Sequence, residues 1–256
     1  MPDKLENAQL ARRVPPLQGG QNFRDMGGYT TDDGRTVCWG KLYRSGSMGR
    51  LTQTDYDTLA GLGIRSVCDL RTREERETEP NAWAQAARIS YWCRDYTLSL
   101  GELHRTLASE LATLEDARAA MIATYHRLPF EQASAYREVF ARLRSGNIPL
   151  VFNCTVGKDR TGTLAALVLS ALGVPRQTVI EDYGLTNRVL DRKRFERPQI
   201  KIAADVAAAA LEAHPSYISA ALDIMEERHG SIAGYLHDVL ALDDGDLAHL
   251  RDMLLE

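Results

Sequence analysis

The stretch FNCTVGKDRTGT, residues 152–163, places a lone cysteine, a lysine, an aspartate and an arginine in one short segment. The residues before it, IPLVF at 148–152, have the composition of a buried strand, and residues 161–172 have the Ala- and Leu-rich composition of a helix. The polar segment is therefore predicted to be a turn from a strand to a helix. At such a turn the first backbone N–H groups of the helix have no partner within it.

The spacing within this segment suits a phosphate group that is attacked by sulfur. Cys154 is followed, after five residues, by Arg160 and Thr161. The amides of residues 155–160 can converge on the oxygens of one phosphate, and the helix adds its positive end. Arg160 can bind two further oxygens in a bidentate fork. The same surroundings favour the thiolate of Cys154, because helix N-termini and cations lower a cysteine pKa from ~8.5 to roughly 3.5–7.5.

The remaining residues of the loop are assigned supporting roles. Thr161 is predicted to donate its hydroxyl to the sulfur, and Gly157 and Gly162 to allow tight turns and close packing. A Walker nucleotide-binding loop is excluded, because Lys158 is followed by Asp159 and not by Ser or Thr. The predicted phosphate-binding residues are Thr155, Val156, Gly157, Lys158, Thr161 and Gly162.

Composition narrows the class of protein. The chain has 256 residues, of which 44% are hydrophobic, which suffices for one sizeable domain spanning 1–256. Its formal net charge of −4 argues against nucleic-acid binding. No run approaches the ~20 apolar residues of a membrane span, and no signal peptide is recognised, so we expect a cytoplasmic protein, with export by another route left open. The scattered histidines predict no bound metal, and no cofactor is expected.

The chain alternates between strand and helix patterns, which favours an α/β fold with a mainly parallel central sheet flanked by helices. Residues 1–20 are expected to be an irregular lead-in, and Thr52 with Asp55 a capping box. A long helical stretch is expected over residues 102–143, and residues 187–214 are expected to form a helical lid. The predicted strands are residues 37–43, 64–70, 89–93 and 148–153. The cysteines, expected to be reduced thiols, are Cys38, Cys68, Cys93 and Cys154.

The loop resembles the phosphate-binding loop of cysteine-dependent tyrosine phosphatases. It is similar to the HCxAGKDRTG form found in bacterial tyrosine and dual-specificity phosphatases related to mycobacterial protein-tyrosine phosphatase B. Further motifs fit this family in order along the chain: QNFRDMGGY at 21–29, GKLYRSG at 40–46, VCDLRTREE at 67–75, YGLTN at 183–187 and YISAALDIMEERHGSIAGYL at 217–236. The resemblance thus covers nearly the whole sequence.

The resemblance implies hydrolysis of phosphomonoesters through a phosphocysteine on Cys154, with Arg160 stabilising the transferred group. Asp159 is the favoured general acid, and Asp95, after the third predicted strand, is the rival. Lys158 and Asp69 match family positions linked to broad specificity, and Asp69 is expected to orient Lys158 or the loop. Substrates are expected to be phosphotyrosine, phosphoserine or phosphothreonine in proteins, or phosphoinositides, and the oligomeric state is left open.

Other positions are predicted to support the loop, and two depart from the family pattern. Arg44 and Arg71 are expected to brace the phosphate loop, with surface ion pairing as the alternative. Asn153 stands where the family has His, so we expect the Cys154 thiolate to form less readily. Val156 stands where the family has Ala, and is expected to narrow the mouth of the loop or to fill core space. These departures keep open a catalytically weak phosphate-binding module.

Overall fold

A five-stranded sheet lies at the centre of the protein, as seen in a computed structural model that describes residues 2–97, 109, 112–195 and 203–256. The strands are β1 (Arg24–Asp25), β2 (Leu42–Ser45), β3 (Ser66–Asp69), β4 (Ser90–Cys93) and β5 (Leu150–Asn153). Their order is β1-β2-β5-β3-β4. Only the short edge strand β1 is antiparallel to its neighbour, so the expectation of a mainly parallel sheet is confirmed.

Helices cover both faces of this sheet. Among the described residues, the helices up to residue 171 are α1 (Pro2–Arg13), α2 (Gln53–Gly61), α3 (Arg73–Thr78), α4 (Ala82–Ala86), α5 (Leu114–Glu131), α6 (Ala133–Arg144) and α7 (Asp159–Ala171). They are followed by α8 (Arg176–Gly184), α9 (Thr186–Val189), a 3-10 turn (Arg192–Phe195), α10 (Ala204–Leu211), α11 (Pro215–His229), α12 (Ile232–Asp238) and α13 (Asp244–Leu254).

The central strand β5 shows why both faces must be covered. Leu150, Val151 and Phe152 are all fully buried, and successive side chains of a strand point to opposite faces. Val151 packs in a cluster with residues of α2 and α4, whereas Leu150 and Phe152 join the larger core formed with α5, α6, α7 and α11. The continuous apolar run found in the sequence is the pattern expected of a strand buried on both faces.

Several local expectations are met and others are corrected. The capping box of Thr52 and Asp55 begins α2 as predicted. Residues 2–13 form α1 in place of the irregular lead-in expected for 1–20. The strand expected at 37–43 is β2, shifted to Leu42–Ser45, because Val37 pairs in an isolated bridge with Leu255 near the C-terminus.

The long helix expected over 102–143 is also revised. Residues 101–108, 110 and 111 lie outside the described part of the chain, and the remainder forms two helices, α5 and α6, separated at Gln132. All four cysteines are free thiols. Among the described residues, no helix combines the length and the apolar character that crossing a bilayer requires.

Candidate active site

The segment that the sequence predicts to carry the chemistry is the loop between β5 and α7. β5 ends at Asn153 and α7 begins at Asp159, so the strand-to-helix turn expected from the sequence is observed. The loop lies at the carboxyl end of the middle strand, where open parallel sheets bind ligands. Cys154 is 2% exposed, and its Sγ accepts a hydrogen bond of 3.3 Å from the amide of Gly157. A loop amide is therefore directed at the sulfur, as anion binding requires.

Gly157 is required by the geometry of this turn. Its φ of 75° lies in the left-handed region, which L side chains rarely adopt. A Cβ at this position would lie 2.5 Å from the backbone nitrogen of Gly46. The close approach of two backbone segments therefore explains the glycine.

Arg160 is held beside the loop by Glu75 of α3. Its Nη1 and Nη2 each donate to one carboxylate oxygen of Glu75 at 2.7 Å, and Nη1 also donates to the hydroxyl of Tyr96 at 2.9 Å. Burial disfavours both charges, but the paired hydrogen bonds outweigh it. They raise the pKa of Arg160 well above its usual range and hold the pKa of Glu75 at about 2. Both side chains are therefore charged at neutral pH.

Glu75 also links the loop to α3. Its carboxylate accepts hydrogen bonds from the hydroxyl of Thr155 and, at 2.7 Å, from the backbone N–H of Thr72. The sequence analysis placed Glu75 in the motif at 67–75 but did not predict this contact. The capping-box spacing of Thr72 and Glu75 was the available signal, since such a glutamate is fixed at the helix start.

Lys158 and Asp159 form a charged pair at the start of α7. The Lys158 side chain is completely buried, and its Nζ lies 2.9 Å from Oδ1 of Asp159. The same carboxylate oxygen accepts a 2.8 Å hydrogen bond from the hydroxyl of Tyr125, whose partner is the hydroxyl of Tyr183 at 2.7 Å. The Asp159 carboxylate remains 31% exposed, so it is both oriented and accessible.

Asp95, the rival acid, occupies a different environment. Its carboxylate is 66% exposed and pairs with the guanidinium of Arg76 on α3. It follows β4, the edge strand of the sheet, whereas Asp159 lies at the end of the loop that contains Cys154.

Of the two roles predicted for Asp69, orienting Lys158 or orienting the loop, its contacts do not include the first. This fully buried carboxylate accepts hydrogen bonds from Arg71, from the hydroxyl of Tyr91 at 2.8 Å and from Nδ2 of Asn153 at 3.2 Å. Lys158 is held by Asp159 and by the backbone carbonyl of Glu212 at 3.3 Å, so Asp69 braces Asn153 and does not orient Lys158.

Arg71 and Arg44 support the loop in different ways. Arg71 acts through Asp69, which it contacts with Nε and Nη2, and its remaining nitrogen bonds outside the loop. Arg44 touches the loop itself, because its Nη2 donates to the carbonyl of Gly157 at 3.0 Å. Both side chains are buried, which excludes the alternative of surface ion pairing.

Thr161 and Gly162 contribute packing to the site. The Thr161 hydroxyl donates to the backbone carbonyl of Ser45 at 3.4 Å, so the predicted hydrogen bond to sulfur is corrected. A Cβ at Gly162 would lie 2.9 Å from the ring of Tyr183, which explains this glycine by close packing. Val156 is partly exposed on the loop and does not fill core space.

A buried ionic cluster behind the loop was not predicted. Asp182 of α8 accepts from Arg44 at 2.5 Å and from Arg24 at 3.4 Å, and all three side chains are at most 1% exposed. Arg24 belongs to the motif at 21–29, as does Asn22, whose amide reaches the loop carbonyls. The sequence analysis included Arg24 and Asn22 in a family motif, but it did not predict the contact with Asp182, which lies far along the chain.

The predicted lid lies partly outside the described residues. Residues 196–202 are not described, while α9, the 3-10 turn and α10 account for the rest up to residue 211. Asn187 exchanges hydrogen bonds with the backbone of Ala213 in both directions, and the Glu212 carbonyl accepts from Lys158. Glu212, near the end of this segment, therefore contacts the loop, and the lid remains a prediction. Within the part of the chain that is described, no group of three His, Cys, Asp or Glu residues could hold a metal ion.

The chain is similar in sequence to known phosphatases. The chain is 32% identical over 237 residues to a candidate tyrosine-protein phosphatase of Cupriavidus necator, with 88% of this chain and 84% of that protein covered. It is 27% identical over 279 residues to the triple specificity protein phosphatase PtpB of Mycobacterium tuberculosis, with 94% and 99% covered. Among solved structures, the core catalytic domain of the PP-IP phosphatase SIW14 of S. cerevisiae matches with a TM-score of 0.36 and 17% identity, over 77% of this chain and 85% of that one.

A family model agrees with these relatives. The model described as the tyrosine phosphatase family matches residues 15–256, which includes every strand and the whole loop. The resemblance inferred from the motifs is thereby confirmed, and the protein is a hydrolase of the tyrosine-phosphatase type. The chain belongs to the tyrosine phosphatase family.

Proposed function

We propose that the protein removes phosphate from phosphotyrosine in proteins through a phosphocysteine intermediate, and that it also accepts phosphoserine, phosphothreonine or phosphoinositides. The observation that carries this proposal is the position of the Cys154 sulfur. It lies under the Gly157 amide, at the start of a loop whose Arg160 is already fixed by Glu75. This geometry prepares a nucleophile and an oxyanion site at the same point.

The reaction proceeds in two displacements. In the first, the Cys154 thiolate forms an S–P bond while the P–O bond to the substrate breaks, and Asp159 gives its proton to the departing oxygen. In the second, Asp159 takes a proton from water, the water oxygen bonds to phosphorus, and the S–P bond breaks to release phosphate and the thiolate. Loop amides and Arg160 stabilise the charge on the transferred group throughout.

The surroundings of Asp159 support its assignment as the acid. Tyr125 and Lys158 both contact Oδ1, which orients the carboxylate, and the residue follows directly on the loop. Asp95 follows the edge strand β4 and is paired on the surface with Arg76, whereas Asp159 lies at the end of the loop that contains Cys154.

Broad specificity rests on two considerations. PtpB, which is named as a triple specificity phosphatase, is similar over nearly the whole chain. Lys158 matches a family position linked to broad specificity, and because its ammonium is buried against Asp159, an additional phosphate would reach it only when that pair opens. A pure binding module has no specific support, because the nucleophile, the acid and the arginine are all present in one loop. We also propose a cytoplasmic location.

The test compares the wild type with Cys154→Ser on para-nitrophenyl phosphate, a phosphotyrosine peptide, a phosphoserine peptide and a phosphoinositide. We expect turnover by the wild type on the first two at least, and loss of at least a thousandfold in the variant. Acid quenching during turnover should trap phosphate on Cys154. Undiminished hydrolysis by the serine variant, with no trapped adduct, would refute the mechanism.

A further inference from the structure

We propose that Asn22 is a positioning residue that orients the phosphate loop, and that the motif at 21–29 exists to hold it. This inference rests on the proposed function, because it concerns the same loop. Asn22 lies in the turn before β1, is 2% exposed, and does not touch the sulfur. Its role follows from the two loop carbonyls that it binds.

The side-chain amide of Asn22 contacts successive carbonyls of the loop. Its Nδ2 lies 3.2 Å from the carbonyl of Val156 and 2.9 Å from that of Gly157, with the hydroxyl of Thr186 at 3.4 Å. A peptide unit carries its N–H opposite its C=O. Fixing these two carbonyls behind the loop therefore directs the following amides, those of Gly157 and Lys158, toward the phosphate side. The hydrogen bond from the Gly157 amide to the Cys154 sulfur agrees with this orientation.

The amide of Asn22 is itself prevented from turning over. Nη1 of Arg24 donates to Oδ1 of Asn22 at 2.5 Å, which leaves the NH₂ group facing the loop. Arg24 is in turn bound to the carboxylate and the backbone carbonyl of Asp182. The motif and the ionic cluster thus form a continuous support from α8 to the loop.

The backbone of Asn22 has a conformation that few residues other than glycine adopt. Its φ of 52° lies in the left-handed region. Glycine adopts this region most readily, and Asn and Asp adopt it more readily than other side chains. The same φ occurs at the exposed Arg88, so the backbone conformation alone does not identify a functional residue. The functional assignment of Asn22 rests on its two hydrogen bonds to the loop carbonyls.

The test is Asn22→Gly, which relieves the backbone strain while removing the amide. Arg88→Gly is the matched control, because Arg88 has the same φ of 52° but is an exposed residue after α4. We measure the dissociation constant of orthovanadate, the pKa of Cys154 from the pH dependence of its alkylation by iodoacetamide, kcat and KM, and thermal unfolding. Alkylation is followed by mass spectrometry of the Cys154 peptide, so that the other cysteines do not contribute.

We expect Asn22→Gly to raise the dissociation constant of orthovanadate about tenfold or more, to raise the pKa of the Cys154 thiol and to lower kcat/KM. Its unfolding temperature should stay close to that of the wild type. Arg88→Gly should leave all of these except the unfolding temperature unchanged. Unaltered vanadate affinity and thiol pKa in Asn22→Gly would overturn the proposal. If that variant does not fold, Asn22→Ala, which removes the amide without adding a charge, is judged by the same two criteria. Vanadate affinity and thiol pKa can both be measured without turnover. A wild type without phosphatase activity would therefore refute the proposed function, while the role of Asn22 would still be decided by these two measurements.

Discussion

Glu75→Gln is predicted to weaken both the fold and the active site through Arg160. Glutamine keeps the size of the side chain and, as the third residue of α3, can still complete the capping box with Thr72. It loses the negative charge, and its NH₂ group would face a guanidinium nitrogen that is also a donor. The variant therefore isolates the charged contact from the structure of the helix.

The size of the effect can be worked out in two ways. Two charge-assisted hydrogen bonds of 2.7 Å join the side chains, and a bond to a charged group contributes ~1.5–3 kcal/mol. Glutamine keeps one acceptor, so about one such bond is lost. Independently, the pKa of Glu75 falls from its ordinary value of 4.5 to about 2, and each unit corresponds to ~1.4 kcal/mol. The first estimate gives ~1.5–3 kcal/mol and the second ~3.5 kcal/mol, so we expect a loss of ~2–3.5 kcal/mol, which would lower the unfolding temperature by roughly 4–14 °C.

The effect must depend on pH in one direction. Because folding lowers the pKa of Glu75, the stabilisation is complete above pH 4.5 and is lost as the pH falls toward about 2. Thermal or urea unfolding at pH 7 should show the full difference between the wild type and Glu75→Gln, and unfolding near pH 3 should show a much smaller one. At pH 7 we also expect kcat/KM to fall by roughly 10- to 100-fold, since ~1.4 kcal/mol corresponds to a factor of ten.

Glu74→Gln is the matched control. It removes the same charge from the first turn of α3, but Glu74 is exposed and lies one position away from the contact. We expect this variant to resemble the wild type within ~0.5 kcal/mol. A stability difference for Glu75→Gln that stays constant from pH 7 to pH 3, or equals that of Glu74→Gln, would refute the reasoning.

Two further predictions concern protons at the site. Asp159→Asn should lower kcat on a substrate with a poor leaving group by ~100-fold or more and flatten the basic limb of the pH–rate profile. Asp95→Asn should change kcat less than about threefold. The reverse pattern would assign the general acid to Asp95. Asn153→His should lower the pKa of the Cys154 thiol, because an imidazole beside the Asp69 carboxylate can carry a charge that the amide cannot. An alkylation profile identical to that of the wild type would show that Asn153 does not tune the nucleophile.

The central part of the fold could be predicted because its signals are local. β5 is a continuous apolar run, and the loop after it combines a cysteine, glycines and an arginine at a fixed spacing. The lead-in could not be predicted, because α1 consists largely of polar residues with no apolar stripe that would indicate a helix. The Thr161 hydroxyl was assigned to sulfur by proximity in sequence, yet the loop folds so that it reaches the carbonyl of Ser45.

The contacts that define the site are those least visible in the sequence. Asn22 and Gly157 are 135 positions apart, and Glu75 and Arg160 are 85 apart. Each partner alone is an ordinary polar residue, and Glu75 lies among charges that a helix surface would also carry. Only the parallel arrangement of β2, β5 and β3 brings their carboxyl ends together, so these pairs follow from the topology and not from local patterns.

The charges around the loop show how the site recognises phosphate in a protein of net negative charge. Four buried cations are each paired with a carboxylate: the pairs are Arg160–Glu75, Lys158–Asp159, Arg71–Asp69 and Arg44–Asp182, of which Asp182 is shared with Arg24. A general excess of positive charge would attract any anion, whereas paired cations add little long-range field. Selectivity must then come from donors fixed in direction, namely the loop amides and the Arg160 guanidinium. Because directed donors are effective only while their supports hold them, the carboxylates and amides behind the loop matter to catalysis as much as the groups that face the substrate.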